Sequence, residues 1–511
     1  MHKDIYVEKS LMKAQWVIPD VPLDAVEKLA RQHDLPEVVA RMLLARGIDT
    51  SDLEAFLKPT LAKQFPDPFA MKDMGVMAEF IAGAIASGRK IAIFGDFDVD
   101  GATSSAILYR FLKACGQDAP IYIPDRLSEG YGPNILALEK LKAEGAEVVM
   151  VLDCGTTAYD VIQAGRDMGL DIVILDHHEA EDKLAAANFV INPKRKDDTS
   201  GYDMLAACGV VFLVCVAINK TLRDVEFYKQ NGINEPDLRL FLDLVALGTV
   251  CDMVPLRGPN RLFVKQGFAM MAATGNEGLQ ALIEVSKITG EITPYHAGFV
   301  LGPRINAGSR VHEADLGARL LSGKAGADAL IDIAWSLNDC NDQRKAIQVE
   351  MERHALRQVE EKGLDQDAVI IVSDESYHPG LSGLVAGRLK EKYGKPACVI
   401  TFAKGEQGQM EGRGSGRSVP GVHIAQGFID ARNADLIIKG GGHAMAGGFT
   451  VAPDKLGDFT RFMNDHVQRQ MADGQAHVQT EIDGVVTVQG ANAALVRLLN
   501  ESVGPFGQEH P

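Results

Sequence analysis

Asp96, Asp98 and Asp100 stand at alternate positions in Gly95-Asp96-Phe97-Asp98-Val99-Asp100-Gly101, directly after the apolar run Ile91-Ala92-Ile93-Phe94. Four β-compatible residues bounded by glycine predict a buried strand, and the segment from Thr103 to Leu112 predicts a helix beyond the turn. Three carboxylates on one turn repel one another strongly, and little offsets that except bound cations. The turn therefore reads as a metal site. An EF-hand calcium loop also begins Asp-x-Asp-x-Asp-Gly, but it needs a bidentate Glu at its twelfth position. Counted from Asp96, that position is Ile107, and the preceding element is a strand rather than a helix. A solvated acidic turn without metal is the plainer alternative.

Later segments weigh against it. Val151-Leu152-Asp153-Cys154-Gly155 and Ile174-Leu175-Asp176-His177-His178 each place Asp or His just past an apolar run. A helix from Pro236 to Gly248, apolar enough to be buried, ends in Thr249-Val250-Cys251-Asp252, and a buried Asp there needs a partner. From Lys90 to about Val254, apolar runs at Ile91–Phe94, Ile121–Ile123, Val148–Leu152, Ile172–Leu175 and Val190-Ile191 alternate with helical stretches. That alternation predicts an α/β fold with βαβ units in a mainly parallel sheet. Ligands collect at the carboxyl ends of such strands, so these acids and imidazoles share one edge. Carboxylates and imidazoles without thiolates suit Mn2+ or Mg2+ better than zinc. Two such ions about 3.5 to 4 Å apart can activate a water and stabilise both oxygens of an in-line phosphoryl displacement.

At 511 residues the chain is too long for one ordinary core, so two to four domains are expected. With 46% hydrophobic and 24% charged residues the composition is globular rather than disordered. The seven cysteines are scattered and never spaced Cys-x-x-Cys, which suggests neither a disulfide framework nor a zinc knuckle and leads to an expected cytoplasmic, reduced setting. The start of the chain lacks a signal-peptide core, and no apolar run reaches spanning length, so no membrane partner is expected. A net charge of −17 argues against a static nonspecific nucleic-acid binder, though not against an enzyme that grips a few phosphates.

Several other segments could meet phosphate. Arg126 lies in Pro124-Asp125-Arg126-Leu127-Ser128-Glu129-Gly130-Tyr131-Gly132, at a strand end. Gly302-Pro303-Arg304-Ile305-Asn306-Ala307-Gly308-Ser309-Arg310 reads as a glycine-rich loop that presents Arg304, Asn306 and Arg310, and arginine's planar fork matches phosphate oxygens. A surface ion pair is the bland reading for either arginine. Asp328 to Glu361 predicts one long amphipathic helix. A second α/β module follows, with strands at Val369–Val372 and Ala397–Phe402 and a helix at Leu381–Lys392. Its strings Glu411 to Ser418 and Gly440 to Gly448 lack the Gly-Lys-Ser/Thr of a P-loop. Glycine N–H groups near Ser415, Arg417, Gly441, Gly442 and His443 instead suit a passing phosphodiester backbone, unless the glycines serve only tight packing.

The strings Gly-Asp-Phe-Asp-Val-Asp-Gly, Leu-Asp-Cys-Gly and Asp-His-His, with the terminal Asp252, resemble the successive motifs of the DHH phosphoesterase superfamily, most closely its RecJ-type single-strand-specific exonucleases. The likeness runs from about residue 70 to the end, and His378-Pro379-Gly380-Leu381-Ser382-Gly383 with Arg388 belongs to it. By that resemblance Asp98 and Asp153 would hold one ion, and Asp100, Asp153, His177 and Asp252 the other. Asp153 would bridge them. Phe94 stands where many relatives carry a ligand His, and Asp96 would take its place. His178 would meet a phosphate oxygen or support His177.

The implied organisation is a helical extension over 1–65, a DHH phosphoesterase domain over 66–325, a linking helix over 326–362, a DHHA-type substrate-binding domain over 363–470 and the start of an oligonucleotide-binding (OB-type) barrel over 471–511. The implied activity is 5′-to-3′ hydrolysis of single-stranded DNA in recombination and repair. A monomer working with a single-strand-binding protein and a repair helicase is expected. A phosphodiesterase for short oligonucleotides or cyclic dinucleotides is one alternative, which length dependence of cleavage would reveal. A metal-free scaffold is the other, and the intact acidic ligands count against it.

Overall fold

A computed structural model describes residues 3–7, 15–48, 50–405, 408–473 and 479–509. The chain divides into two compact units, one of residues 20–341 and 483–511, the other of residues 1–19 and 342–482. In chain order the strands begin with β1 (Lys3–Val7) and β2 (Gln15–Pro19), an antiparallel pair in the second unit.

The first unit is organised around β3 (Ile91–Gly95), β4 (Ile121–Tyr122), β5 (Val148–Leu152), β6 (Asp171–Leu175) and β7 (Phe189–Ile191). They form one parallel sheet in the order β4-β3-β5-β6-β7. Side chains alternate between the two faces. Ile91, Ile93, Met150 and Val173 join one core beside the helices Met74–Ala86, Val99–Ala114 and Ala207–Asp224. Ala92, Phe94, Val149 and Ile172 join another beside Ile135–Ala143 and Tyr159–Asp167. Both faces are covered, which is why these strands read as unbroken apolar runs. The chain crosses from β4 on one side of β3 to β5 on the other, a reversal of strand order that opens a crevice at the carboxyl ends of β3 and β5.

Register fixes what stands in that crevice. Gly95 pairs with Leu152, Leu152 with Leu175, and Leu175 with Ile191, so Asp96, Asp153, Asp176 and Asn192 leave neighbouring strands at one level. The predicted helix ending at Asp252 is a 3-10 turn, Leu238–Phe241, that continues into the helix Leu242–Cys251. The segment from Gly302 to Arg310 is not the glycine-rich loop expected from its sequence. It is the helix Gly302–Val311, which runs on from the π-helical turn Ala297–Leu301 without a break in helical dihedrals, with Ile305, Ala307, Gly308 and Ser309 buried. At the end of the chain the helix Ala493–Ser502 leads to Val503, buried in a cluster with Val26, Leu29, Val39 and Leu43.

The second unit holds a five-stranded sheet, β11-β12-β10-β9-β8, built from β8 (Ile370–Asp374), β9 (Ala397–Lys404), β10 (Met410–Arg417), β11 (Lys439–His443) and β12 (Ala446–Val451). Both glycine strings are therefore strands, not anion-binding loops. A Cβ on Gly414 would collide with the Phe449 ring, and one on Gly416 with Phe428, so these glycines make room for a core. On the other face of the same strands, Ser415 pairs with Gly448 and Gly448 with Gly441, leaving a side-chain-poor strip between Arg413 and Arg417. The expected long helix is present as Ala327–Lys362. The strand expected near Thr480 is β13 (Gln479–Glu481), but it pairs in parallel with β2, and the next described element is the helix Ala493–Ser502 rather than a second barrel strand.

Candidate metal centre

Asp98 caps the Val99–Ala114 helix, its carboxylate accepting from the N–H groups of Asp100 and Gly101 at 2.9 and 3.2 Å. A Cβ on Gly101 would lie 2.3 Å from the Asp96 carbonyl oxygen, so only glycine lets the helix start this close to the strand end. Asp100 is buried and accepts from Ala207 N and Cys208 N, at 2.7 and 2.9 Å, at the start of the Ala207–Asp224 helix. Asp153 adopts the left-handed conformation, φ 60°, which a non-glycine residue holds only where its surroundings require it.

His177 is oriented by the backbone. Its Nδ1 lies 3.1 Å from the Leu205 carbonyl oxygen, which can only accept, so Nδ1 carries the proton and Nε2 presents a lone pair. That Nε2 is 3.3 Å from Asp153 Oδ1, 3.5 Å from Asp252 Oδ2 and 3.8 Å from Asp100 Oδ2. It has no hydrogen-bond partner, and neither do Asp96 Oδ1 and Asp252 Oδ2. Burial holds the His177 imidazole neutral, its pKa lowered to about 3. Burial and the neighbouring carboxylates raise Asp96, Asp153 and Asp252 well above the ordinary range, and Asp100 to about 6. Buried acids this close are costly unless protonated or bound to cations, and a neutral imidazole beside them is a metal ligand rather than a counter-ion.

The ligand atoms fall into overlapping sets, Asp96 with Asp98 and Asp153, Asp100 with His177 and Asp252, and Asp153 with His177 and His178, each within 4.8 Å. All seven residues expected at the centre are thus brought together, and Asp153 belongs to two of the sets. The donors fit hard divalent cations in at least two positions.

Asp176, absent from the expected ligands, anchors the centre instead. It accepts from Thr156 N and Oγ1, from His177 N and from His178 Nδ1. Burial alone would raise its pKa, but the hydrogen bonds from His178 and Thr156 hold it below the ordinary carboxylate range. Burial lowers the His178 pKa, yet the bond and charge of Asp176 more than offset this, and the net shift is upward. Asn192 donates to Thr156 Oγ1 and to the His178 carbonyl. The signal for both was positional, a polar residue just past a buried strand on the same sheet edge. Tyr131, also missed, places its hydroxyl 3.2 Å from the Asp153 carbonyl and 3.3 Å from His178 Nε2.

Arg126 lies over the Phe97 ring at 4.6 Å and is drawn by the charges of Asp96 and Asp98. Arg304 is held on its helix by its bonds to Asn338 Oδ1 and the Val300 carbonyl, and that helix begins where Gly302 packs against Cys251, next to Asp252. Asn306 and Arg310 share the helix, and Asn306 Oδ1 is buried without a hydrogen-bond partner. In the other unit, Arg388 is exposed and paired with Glu391 at 3.1 Å. Ser415 and Arg417 are half-buried on the face of β10 opposite Phe428 and Phe449, with Arg417 against Gly383 of the Ser382–Tyr393 helix, while Gly441, Gly442 and His443 lie on β11, Gly442 at φ 135°.

Residues 90–249 match the model of the DHH family, N-terminal domain, and residues 366–469 that of the DHHA1 domain. The single-stranded-DNA-specific exonuclease RecJ of Dickeya dadantii is 32% identical over 93% of this chain and 82% of its own length. The chain belongs to the RecJ family. The RecJ of Bacillus subtilis is likewise 32% identical over 98% of this chain, which spans 61% of that protein's length. The crystal structure of RecJ from Thermus thermophilus in complex with Mn2+ superposes with a TM-score of 0.80 at 26% identity, covering 97% of this chain and 68% of that one. The parallel-sheet domain and the second α/β domain are those of the RecJ family. Among the described residues no helix is long and apolar enough to cross a membrane.

Proposed function

We propose that this chain hydrolyses phosphodiester bonds of single-stranded DNA from the 5′ end, with two divalent cations, Mn2+ or Mg2+. The observation that carries the proposal is the convergence of three buried, unpartnered ligand atoms, Asp96 Oδ1, His177 Nε2 and Asp252 Oδ2, on carboxylates that burial and repulsion raise. Asp96, Asp98 and Asp153 would hold one ion, and Asp100, Asp153, His177 and Asp252 the other. Cations held by these residues would lower the pKa of a water and would stabilise charge on the attacking and leaving oxygens. The chain's own groups do the rest. His178, its Nδ1 bonded to Asp176, can donate from Nε2 to a nonbridging phosphate oxygen. Arg126 can place its fork on the phosphate at the strand's end, and the Phe97 ring limits its swing. No motif reads base edges, so cleavage is independent of sequence. Action as a cytoplasmic monomer in recombination and repair, with a single-strand-binding protein and a repair helicase, is part of the same proposal.

The test uses single- and double-stranded DNA labelled at either end, incubated with Mn2+. Early release of the 5′ label as a mononucleotide, from single strands only, is expected. Release from the 3′ end, or equal attack on duplex, would overturn the polarity or the strand preference. In the same assay Arg126→Ala is expected to slow 5′-phosphorylated strands by about tenfold more than 5′-hydroxyl strands, equivalent to roughly 1.4 kcal/mol of lost contact. Equal slowing would mean that Arg126 only follows the backbone.

A further inference from the structure

Two backbone segments off the sheet complete the centre. The first, residues 203–208, supplies the Leu205 carbonyl that fixes the His177 tautomer and the Ala207 and Cys208 N–H groups that hold Asp100. The second follows the Leu242–Cys251 helix and carries Asp252. Neither is part of a strand, so hydrogen bonding within a sheet does not set their spacing.

Asn260, fully buried in the first turn of the helix Gly258–Met271, joins them. Its Nδ2 donates to the Met204 carbonyl at 2.5 Å and to the Pro255 carbonyl at 3.0 Å. Met204 immediately precedes Leu205, and Pro255 lies just beyond Asp252. With the amide turned over, an oxygen would face two carbonyl oxygens, so the two acceptors fix its orientation. A second link between the segments, Arg257 to Asp203 at 3.1 Å, is exposed and contributes little.

We infer that Asn260 is a positioning residue of the metal centre, whose carboxamide sets the distance between the segment that orients His177 and Asp100 and the segment that carries Asp252. The inference rests on the metal reading of the site. Asn260 touches neither cation nor substrate; it acts through two carbonyl groups. Groups that orient metal ligands change metal affinity by about 10- to 100-fold when removed, so metal affinity, read beside the melting temperature, is the quantity that separates positioning from packing.

The experiment titrates the full chain with Mn2+, follows free Mn2+ by electron paramagnetic resonance, and records a thermal melt of each protein. Asn260→Ala is expected to weaken Mn2+ binding by about tenfold or more while single-strand binding without Mn2+ stays within a small factor. Wild-type Mn2+ affinity in N260A, whatever its melting temperature, would overturn the inference. Should N260A fail to fold, Asn260→Asp keeps the volume, can donate at most one hydrogen, and is expected to weaken Mn2+ binding measurably; unchanged affinity there would also overturn it. A wild-type chain that binds no Mn2+ would instead overturn the metal reading.

Discussion

Asp153→Asn is expected to lower the turnover of single-stranded DNA by more than about 100-fold at saturating Mn2+, beyond what the loss of an orienting partner causes. Asp153 belongs to two of the three ligand sets, and its Oδ1 is 3.3 Å from His177 Nε2. Asparagine keeps the volume but removes the charge both cations would share. Single-strand binding is expected to stay within a small factor, because the proposed phosphate contacts are His178 and Arg126 rather than Asp153. The metal-free variant is also expected to melt above the metal-free wild type at neutral pH, since burial first, and then the charges of Asp100, Asp98 and Asp96, penalise an ionisable carboxyl there, and asparagine is spared that cost. Retained turnover with Mn2+ in excess would sink the shared-ligand assignment. A melting temperature unchanged in the absence of metal would sink the electrostatic half.

The second large effect is the pH dependence of stability without metal. The pKa of Asp100 is raised to about 6, and those of Asp96, Asp153 and Asp252 well above 3.8, so the folded chain keeps protons that the unfolded chain has released. Stability from these groups is therefore present at low pH and lost as pH rises through their folded values. His177 works in the opposite sense. Lowered from 6.5 to about 3, it adds stability as pH rises toward 6.5 and nothing further above it. The slopes compete below that point, and above it the raised carboxylates act without opposition from His177. The metal-free protein should therefore melt at progressively lower temperature as pH rises above about 6.5, where His177 no longer opposes the raised Asp96, Asp153 and Asp252. Saturating Mn2+ replaces the protons, reverses the slope, and at 100 times its dissociation constant stabilises by about 2.7 kcal/mol. Thermal melts across this range, with chelator and with Mn2+, check both. A metal-free melting temperature that climbs through the interval would contradict buried, protonated acids.

Much of the centre was legible because parallel strands buried on both faces appear as short apolar runs, and Val148–Leu152 and Ile172–Leu175 stop at an Asp while Ile91–Phe94 stops at Gly95-Asp96. Asp96 and Asp153 stood out for that reason, and Asp252 because an apolar helix ended in an acid. Asn192 follows a shorter run, Val190-Ile191, and precedes Pro193, and Asn-Pro reads as a turn. The His177 tautomer depends on the Leu205 carbonyl, a backbone atom with no residue type to betray it. Gly302 to Arg310 looked like a loop because glycine and proline punctuate it, yet small residues on a packed face suit a helix, and the π-helical turn Ala297–Leu301 leads straight into it. The glycines of β10 and β12 suggested phosphate binding, but Gly414 and Gly416 face Phe449 and Phe428, partners distant in sequence. Long-range packing of that kind leaves no local pattern.

The most direct measurement is anomalous diffraction at the manganese edge from a crystal of the full chain grown with Mn2+. Two anomalous peaks are expected, one bounded by Asp96, Asp98 and Asp153, the other by Asp100, Asp153, His177 and Asp252. A single peak away from Asp153, or no peak among these residues at saturating Mn2+, would contradict a two-metal centre built on that carboxylate.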